Sequence, residues 1–334
     1  MRIAILGAGS IGAYLGGALI AAGGDVVLIG RARMAENISL HGLQLSDLQG
    51  RSIALSSTQI KYSQDAAALA GADLILVTVK SADTAEAGKT IANYATPGAL
   101  VMSFQNGIGN ADTLRENLPG WTVLGGMVPF NVVQMPNGRF HRGTEGELMI
   151  ESSPAITPWK ALFGTAGLPL LEQSDFVGVQ WGKLLLNLNN SINALCGLPL
   201  KAELSQRAYR RCLADLIEEA TTILLAANIQ PAKVAKIGPN WLPVLLRLPD
   251  FLFTRIAATM LRIDPEARSS MWEDLQAGRR TEVDYINGAV LKLAATIGRD
   301  APYNRRIVEL IRRAEQGGSA WKGDALLAQL RASQ

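Results

Sequence analysis

Lys183 is the residue around which a reaction could be built. It sits in Trp181-Gly182-Lys183-Leu184-Leu185-Leu186-Asn187, a predominantly apolar stretch of helical texture. Asn187 follows it at i,i+4, so the two share a helix face. A helix this apolar is expected to be buried, and polar groups carried inside need partners. A partly buried lysine has a lowered pKa and can pass a proton near neutral pH. An Asn one turn along can hold the lysine or a substrate oxygen. The competing reading is a lysine whose stem covers apolar surface while its head reaches water, and helix pattern does not choose between the two. Asn189, Asn190, Ser191 and Asn193 come next. A second polar cluster, Arg268-Ser269-Ser270-Met271-Trp272-Glu273-Asp274, sets Ser270 and Asp274 again at i,i+4. After it, Thr281 and Asp284 have capping-box-like spacing and Glu282 suits the first-turn dipole. From spacing alone, Ser270 and Glu282 read as cap and dipole residues.

A different chemistry is written at the start of the chain. Gly7-Ala8-Gly9-Ser10-Ile11-Gly12 is a GxGxxG motif between a β-branched run, Ile3–Leu6, and a helical stretch, Ile11–Ala22. The motif alone is weak, and the strand before it and helix after it are the context that gives it meaning. Gly7 permits the tight turn, Gly9 lets the backbone approach a pyrophosphate, and Gly12 allows close helix–strand packing. The free N–H groups at the helix start then face the phosphates. An NAD enzyme usually ends its second strand on Asp or Glu; here the run is Leu28-Ile29-Gly30-Arg31-Ala32-Arg33, with no acid. A guanidinium can bind a 2′-phosphate that a carboxylate would repel. NADP is therefore the expected cofactor, with Arg31 the main reader and Arg33 a helper; the alternative is that both are ordinary surface charges. Lys80 follows the strand Leu74–Val79, and Asn106, in Gln105-Asn106-Gly107, follows Ala99–Ser103. Ligands of open α/β sheets bind beyond the carboxyl ends of strands, although Asn106-Gly107, with Gly109 nearby, also reads as a plain turn.

These residues need a scaffold, and the alternation of patterns supplies one. Strands are expected at Ile3–Leu6, Val26–Ile29, Leu74–Val79, Ala99–Ser103 and Thr122–Gly125, with helices such as Thr84–Ala92 between them, which implies a parallel sheet covered on both faces. Asn137-Gly138 and the run Glu147–Glu151 suggest a hairpin-like extension. From about Asp175 the texture turns helical, through Val179–Leu195, Arg207–Ala227, Met271–Ala277, Val283–Ile297 and Asn304–Glu315. The expected fold is an α/β Rossmann-like doubly wound sheet over 1–174 and an all-α domain over 175–334. Trp241–Leu261 is hydrophobic, but Pro243, Arg247, Pro249, Asp250 and Arg255 argue for buried helices around a proline turn and against a membrane span.

The 334 residues exceed one ordinary core, and 48% apolar against 18% charged residues suits a globular enzyme. Lys+Arg 32 against Asp+Glu 29 is too slight an excess to indicate nucleic acid. Two isolated cysteines, Cys196 and Cys212, and two isolated histidines offer no metal or disulfide framework, which suits a reducing, cytoplasmic setting. No leader with a long apolar core precedes the glycines. A homodimer is allowed by the sequence, not read from it.

Taken together and in order, GAGSIG at the start, Arg31, Lys80, Gln105-Asn106-Gly107, WGKLLLN at 181–187, SSMWED at 269–274 and TEVDYING at 281–288 resemble the ketopantoate reductase (2-dehydropantoate 2-reductase) family over nearly the whole chain. The resemblance implies NADPH-dependent reduction of a 2-oxo acid to a 2-hydroxy acid on the route to pantothenate. It implies that Lys183 is the general acid, that Asn187, Ser191 and Ser270 lie on the substrate side, and that Asn106 meets substrate and cofactor. Gly7, Ala8, Gly9, Ser10, Ile11, Gly12, Arg31, Lys80 and Glu282 fall on the cofactor side, and Asp274 is a weaker candidate. Two positions depart from the family pattern: Ser191 and Lys201 stand where well-known members offer Asn to the substrate. The substrate is thereby less fixed than the reaction. Competing readings are a paralogous reductase of another 2-oxo or 3-oxo acid, a β-hydroxyacid dehydrogenase, which lacks the SSMWED and TEVDYING combination, and a non-catalytic NADP sensor, which would need only the cofactor half.

Overall fold

Val, Ile and Leu crowd the short runs of the first half, and those at 2–6, 25–29, 74–77, 100–103 and 123–127 become strands buried along nearly their whole length. In the computed structural model, which describes residues 1–233, 238, 240–256, 266–318 and 320–332, the chain divides into two units, Met1–Phe176 and Val177–Gln334. In the first, the strands are β1 (Arg2–Leu6), β2 (Asp25–Ile29), β3 (Leu43–Asp47), β4 (Ser52–Leu55), β5 (Lys61–Ser63), β6 (Leu74–Val77), β7 (Leu100–Ser103), β8 (Val123–Met127), β9 (Val132–Met135), β10 (Arg139–Arg142), β11 (Leu148–Glu151) and β12 (Leu170–Gln173). The helices are α1 (Ser10–Ala21), α2 (Ala32–His41), α3 (Thr84–Tyr94), α4 (Asn110–Asn117) and α5 (Lys160–Thr165).

The main sheet runs β12-β11-β8-β7-β6-β1-β2-β5. Pairing is parallel from β8 through to β5, and β11 enters antiparallel to β8. The chain leaves β1 toward β2 and β5, then crosses back to β6 on the other side. The reversal creates a switch point between the carboxyl ends of β1 and β6, where such sheets bind ligands. Alternate residues feed two cores: Ile3, Ile5 and Leu28 on one face, Ala4, Val27, Ile75 and Val101 on the other. Helix α1 lies so close that a side-chain carbon at Gly16 would stand 2.3 Å from Leu28 Cδ2.

The Asn137-Gly138 turn is present, with φ of 60° and 70°, and joins β9 to β10 antiparallel. Its strands do not merely extend the main sheet. They form a second sheet, β4-β3-β10-β9, in which β10 pairs parallel with β3.

The second unit opens with α6 (Phe176–Asn187), whose first residue still belongs to unit 1, and continues through α7 (Asn189–Cys196), α8 (Leu200–Leu204), α9 (Arg207–Ala226), α10 (Leu242–Leu246), α11 (Asp250–Ile256), α12 (Ser270–Gln276), α13 (Asn287–Thr296), α14 (Pro302–Ala314) and α15 (Gly323–Arg331). Among its described residues it has no strand. The expectation of buried helices over Trp241–Leu261 needs correction. Leu242, Leu245, Leu246 and Phe253 are buried, but Trp241, Val244, Phe251 and Ile256 are exposed, so α10 and α11 are amphipathic; positions 257–261 lie outside the described residues. Among the described residues no helix is long and apolar enough to cross a membrane.

Candidate active site

In the first unit the glycine loop is tight where it packs and open where it could receive a ligand. Gly7 has φ +106°, and a side-chain carbon there would stand 2.6 Å from Val79 N; one at Gly12 would stand 2.4 Å from Gly7 O. At Gly9 the nearest atom would be 4.0 Å away, so nothing of the protein fills the space above it. Gly7 and Ala8 donate their N–H groups to Ile29 O at 3.0 and 2.9 Å, and Thr78 Oγ1 donates to Gly7 O at 2.8 Å. The loop is thereby fixed from β2 and from the end of β6. Gly9 is the N-cap of α1 with no side-chain cap, which leaves first-turn N–H groups for an anion. These features fit a dinucleotide pyrophosphate.

At the end of β2, Arg31 is the N-cap of α2, and its guanidinium is 91% exposed. Tyr62 donates its phenol hydrogen to Arg31 O at 2.9 Å. Burial pushes the Tyr62 hydroxyl up to about 12, so it remains a donor. The Arg31 guanidinium stands 3.7 Å from the carboxylate of Asp83. Arg33 is exposed in the first turn of α2.

Beyond β6 and β7 a buried polar network joins two loops. Ser81 Oγ donates to Asn106 O at 2.7 Å; Asn110 Nδ2 donates to the same carbonyl at 2.7 Å and to Ser81 Oγ at 3.2 Å. Gln105 Nε2 donates to Val79 O at 3.1 Å and to Thr84 Oγ1 at 2.7 Å, while Thr84 Oγ1 donates to Asn110 Oδ1 at 2.8 Å. Lys80 and Asn106 thus ride on loops locked to each other. Sequence reasoning picked out the two riders and missed Thr78, Ser81, Thr84 and Asn110. The signal for them was a run of small polar residues directly after apolar strands.

In the second unit Lys183 and Asn187 lie half-buried on one face of α6, backed by Trp181, Leu184 and Leu185, all buried. Loss of hydration lowers the Lys183 pKa to about 8, and the Glu282 carboxylate pulls upward against that shift. Lys183 and Glu282 are therefore brought into one electrostatic environment although 99 positions separate them (282 − 183). Ser191 is 0% exposed, with its hydroxyl on Leu188 O at 3.2 Å and Asn287 Oδ1 at 2.5 Å. Asn287 in turn donates to Asn304 Oδ1 at 3.1 Å.

Ser269, not Ser270, caps α12: its Oγ accepts from Trp272 N at 3.1 Å, which leaves Ser270 exposed in the first turn. The Arg268 guanidinium stacks 4.3 Å over the Trp272 ring and bonds Gly197 O. Asp274 is buried and accepts from Arg279 Nε at 2.9 Å. Of the capping-box expectation for Thr281 and Asp284 one local bond remains, Val283 N donating to Thr281 Oγ1 at 3.3 Å, and the other contacts are longer-range. Thr281 N and Oγ1 both donate to Glu315 Oε1, at 2.8 and 2.7 Å, and Asp284 accepts from Arg312 at 2.6 Å. Glu282 begins a short 3₁₀ turn (Val283–Tyr285) without a side-chain cap. Lys201 is exposed on α8.

A Rossmann-type sheet with an open glycine loop, and a helical unit with a desolvated lysine, define a nicotinamide-dependent oxidoreductase. The family model for ketopantoate reductase PanE/ApbA matches residues 3–155, and that for its C-terminal part matches 175–315. A 2-dehydropantoate 2-reductase of Pyrococcus horikoshii is 29% identical over 96% of this chain and all of its own length. A PanE/ApbA family ketopantoate reductase from Ralstonia eutropha superposes with TM-score 0.80 at 32% identity, covering 95% of this chain and 99% of that one. A dimeric ketopantoate reductase from Staphylococcus aureus shares the fold, with TM-score 0.70 at 17% identity over 95% and 99%. The chain belongs to the ketopantoate reductase family, a family of NADPH-dependent oxidoreductases.

Proposed function

We propose that this chain is a 2-dehydropantoate 2-reductase that uses NADPH to reduce ketopantoate to pantoate, with residues 1–174 serving the cofactor and 175–334 the 2-oxo acid. The observation that carries the reading is Lys183, held in an apolar helix with its pKa lowered to about 8. Such a group is mostly protonated at neutral pH yet gives up its proton readily, as a general acid must.

NADPH, when bound, supplies the hydride. The open space at Gly9 and the uncapped start of α1 suit its pyrophosphate, and Arg31, with Lys80 on the neighbouring loop, suits its 2′-phosphate. As charge builds on the carbonyl oxygen, the Lys183 ammonium stabilises it and then transfers a proton from Nζ to that oxygen. Glu282 keeps Lys183 in the charged form needed at the outset. Asn187, one turn from Lys183, orients the substrate, and Ser270 offers a hydroxyl from the first turn of α12. Asn106, on a loop held through its carbonyl by Ser81 and Asn110, is the residue we assign to cofactor and substrate together. Ser191, being buried, supports the α6–α7 junction through Leu188 O and does not need to touch the substrate to matter. Both cysteines are buried thiols, in keeping with a reducing cytoplasm, and a homodimer like that of the staphylococcal relative is the assembly we favour.

The test is purified protein with ketopantoate, followed at the nicotinamide absorbance with NADPH and with NADH. Rapid, ketopantoate-dependent oxidation of NADPH is expected. NADPH binding with no ketopantoate turnover would reject the substrate and keep the cofactor.

A further inference from the structure

Glu203 is a carboxyl with no place in the mechanism above. It lies on α8 and is 0% exposed. Asn193, also 0% exposed, donates through Nδ2 to Glu203 Oε2 at 2.6 Å and to Leu198 O at 2.9 Å. The same amide accepts the backbone N–H of Ser269 at 2.9 Å through its Oδ1. Ser269 then caps α12 and also donates to Asn190 O at 3.2 Å. One side-chain amide thus spans from the buried carboxyl to the residue before Ser270.

The other oxygen of the carboxyl is the informative one. Glu203 Oε1 is buried without a hydrogen-bond partner, and so is Asn189 Oδ1, whose side chain adjoins the same carboxyl. Two bare acceptors in one dry place are costly. A hydrogen on the carboxyl turns one of them into a donor. Asn193 and Asn189 on α7 reach Glu203 through their side-chain amides and favour its ionised form, against the larger effect of burial; Cys196 on α7 and Tyr209 and Cys212 on α9 also face it, and none of these groups is a cation. Arg268, which acts on the neighbouring Cys196, spends its guanidinium on Gly197 O and the Trp272 ring. Burial pushes Glu203 up to about 8, in line with a neutral acid at physiological pH.

We infer that Glu203 is a positioning residue for the substrate half of the site: as a neutral acid it holds the Asn193 amide, which fixes the start of α12 and with it Ser270. The inference rests on the reading that Ser270 meets the 2-oxo acid.

The full-length enzyme tests it with two near-isosteric changes, Glu203→Gln and Glu203→Met. Gln keeps a neutral group able to accept from Asn193 and to donate; Met keeps volume alone. For Gln we expect a ketopantoate KM within about twofold of wild type at pH 7, and for Met a KM raised about tenfold, the scale of one lost buried hydrogen bond. NADPH affinity, read by fluorescence titration, stays unchanged in both. The ratio of wild-type to Gln KM grows as pH passes about 8, because only the wild type ionises there; the titration of Lys183 cancels, since both enzymes carry it. A Met variant with wild-type KM, a Gln variant as impaired as Met, or a flat ratio overturns the inference. If Met does not fold, the ratio alone decides. Failure of the functional reading is seen separately, in wild-type enzyme that turns over no ketopantoate. Another accepted 2-oxo acid would then take its place in the same ratio, and turnover of none would reject both readings.

Discussion

Tyr62 donates to the backbone carbonyl of Arg31 at 2.9 Å, so the residue proposed to read the 2′-phosphate is anchored by its main chain while its guanidinium stays in water. Anchoring reduces the entropy lost when the side chain grips a phosphate. Arg31→Ala is therefore expected to weaken NADPH about tenfold or more and NADH little, in line with loss of a charge-assisted pair. Tyr62→Phe is expected to produce a smaller loss of the same kind. Dissociation constants for both cofactors check this, and equal losses for NADPH and NADH would mean Arg31 does not distinguish them.

The Asp83 carboxylate competes for the same guanidinium at 3.7 Å. Both groups are exposed, so the pair contributes at most about 1 kcal/mol. A 2′-phosphate must displace it and must also sit near a like charge. Asp83→Asn is expected to tighten NADPH up to about fivefold and to leave NADH unchanged, with the gain shrinking in high salt. A weaker NADPH complex in that variant would assign Asp83 a direct role in holding the cofactor.

The general-acid role proposed for Lys183 carries a pH profile with it. The lowered Lys183 pKa of about 8 means that the lysine is protonated below that pH and neutral above it. Reduction uses the protonated form, so kcat/KM should be flat toward neutral pH and fall about tenfold per unit above pH 8. The Glu282 charge raises this pKa, so Glu282→Gln is expected to move the falling limb to lower pH. Lys183→Ala is expected to cost roughly 10²–10⁴-fold in turnover with NADPH binding retained. Because the fold disfavours the charged lysine below its folded pKa, Lys183→Met should also raise the melting temperature at pH 7 by a few °C, on the order expected for removing a buried charge.

The glycine loop and the apolar helix that carries Lys183 were legible in the sequence because both are local. The glycine motif spans six positions between a strand and a helix, and Lys183 is a cation inside one apolar helix. What was not legible depends on distant pairing. Leu43–Asp47 is a half-polar strand that gains its parallel partner only at Arg139–Arg142. Glu203 sits in Leu200-Lys201-Ala202-Glu203, which reads as solvated surface, and only Asn193 and Ser269 reveal it as interior. Ser191, put on the substrate side by the family resemblance, stands on α7, one helix beyond Lys183. Its burial comes from Asn287, which lies 96 residues away.

Glu315 illustrates how such distant pairing reaches the reaction. Its Oε1 accepts both the backbone N–H and the hydroxyl of Thr281, pinning the residue directly before Glu282. The carboxylate that sustains the Lys183 charge is thus held in place from the end of α14. Glu315→Ala frees the Thr281–Glu282 segment, so the limb near pH 8 should shift downward as in Glu282→Gln, by a smaller amount, and kcat should fall. Glu315→Gln keeps an oxygen able to accept from Thr281 and should restore most of both. A profile for Glu315→Ala that loses rate but keeps its limb would mean Glu315 supports the fold without reaching Lys183. A shift rescued by Gln ties the two through Glu282, because a merely loosened helix end has no means of moving the titration of a lysine on α6.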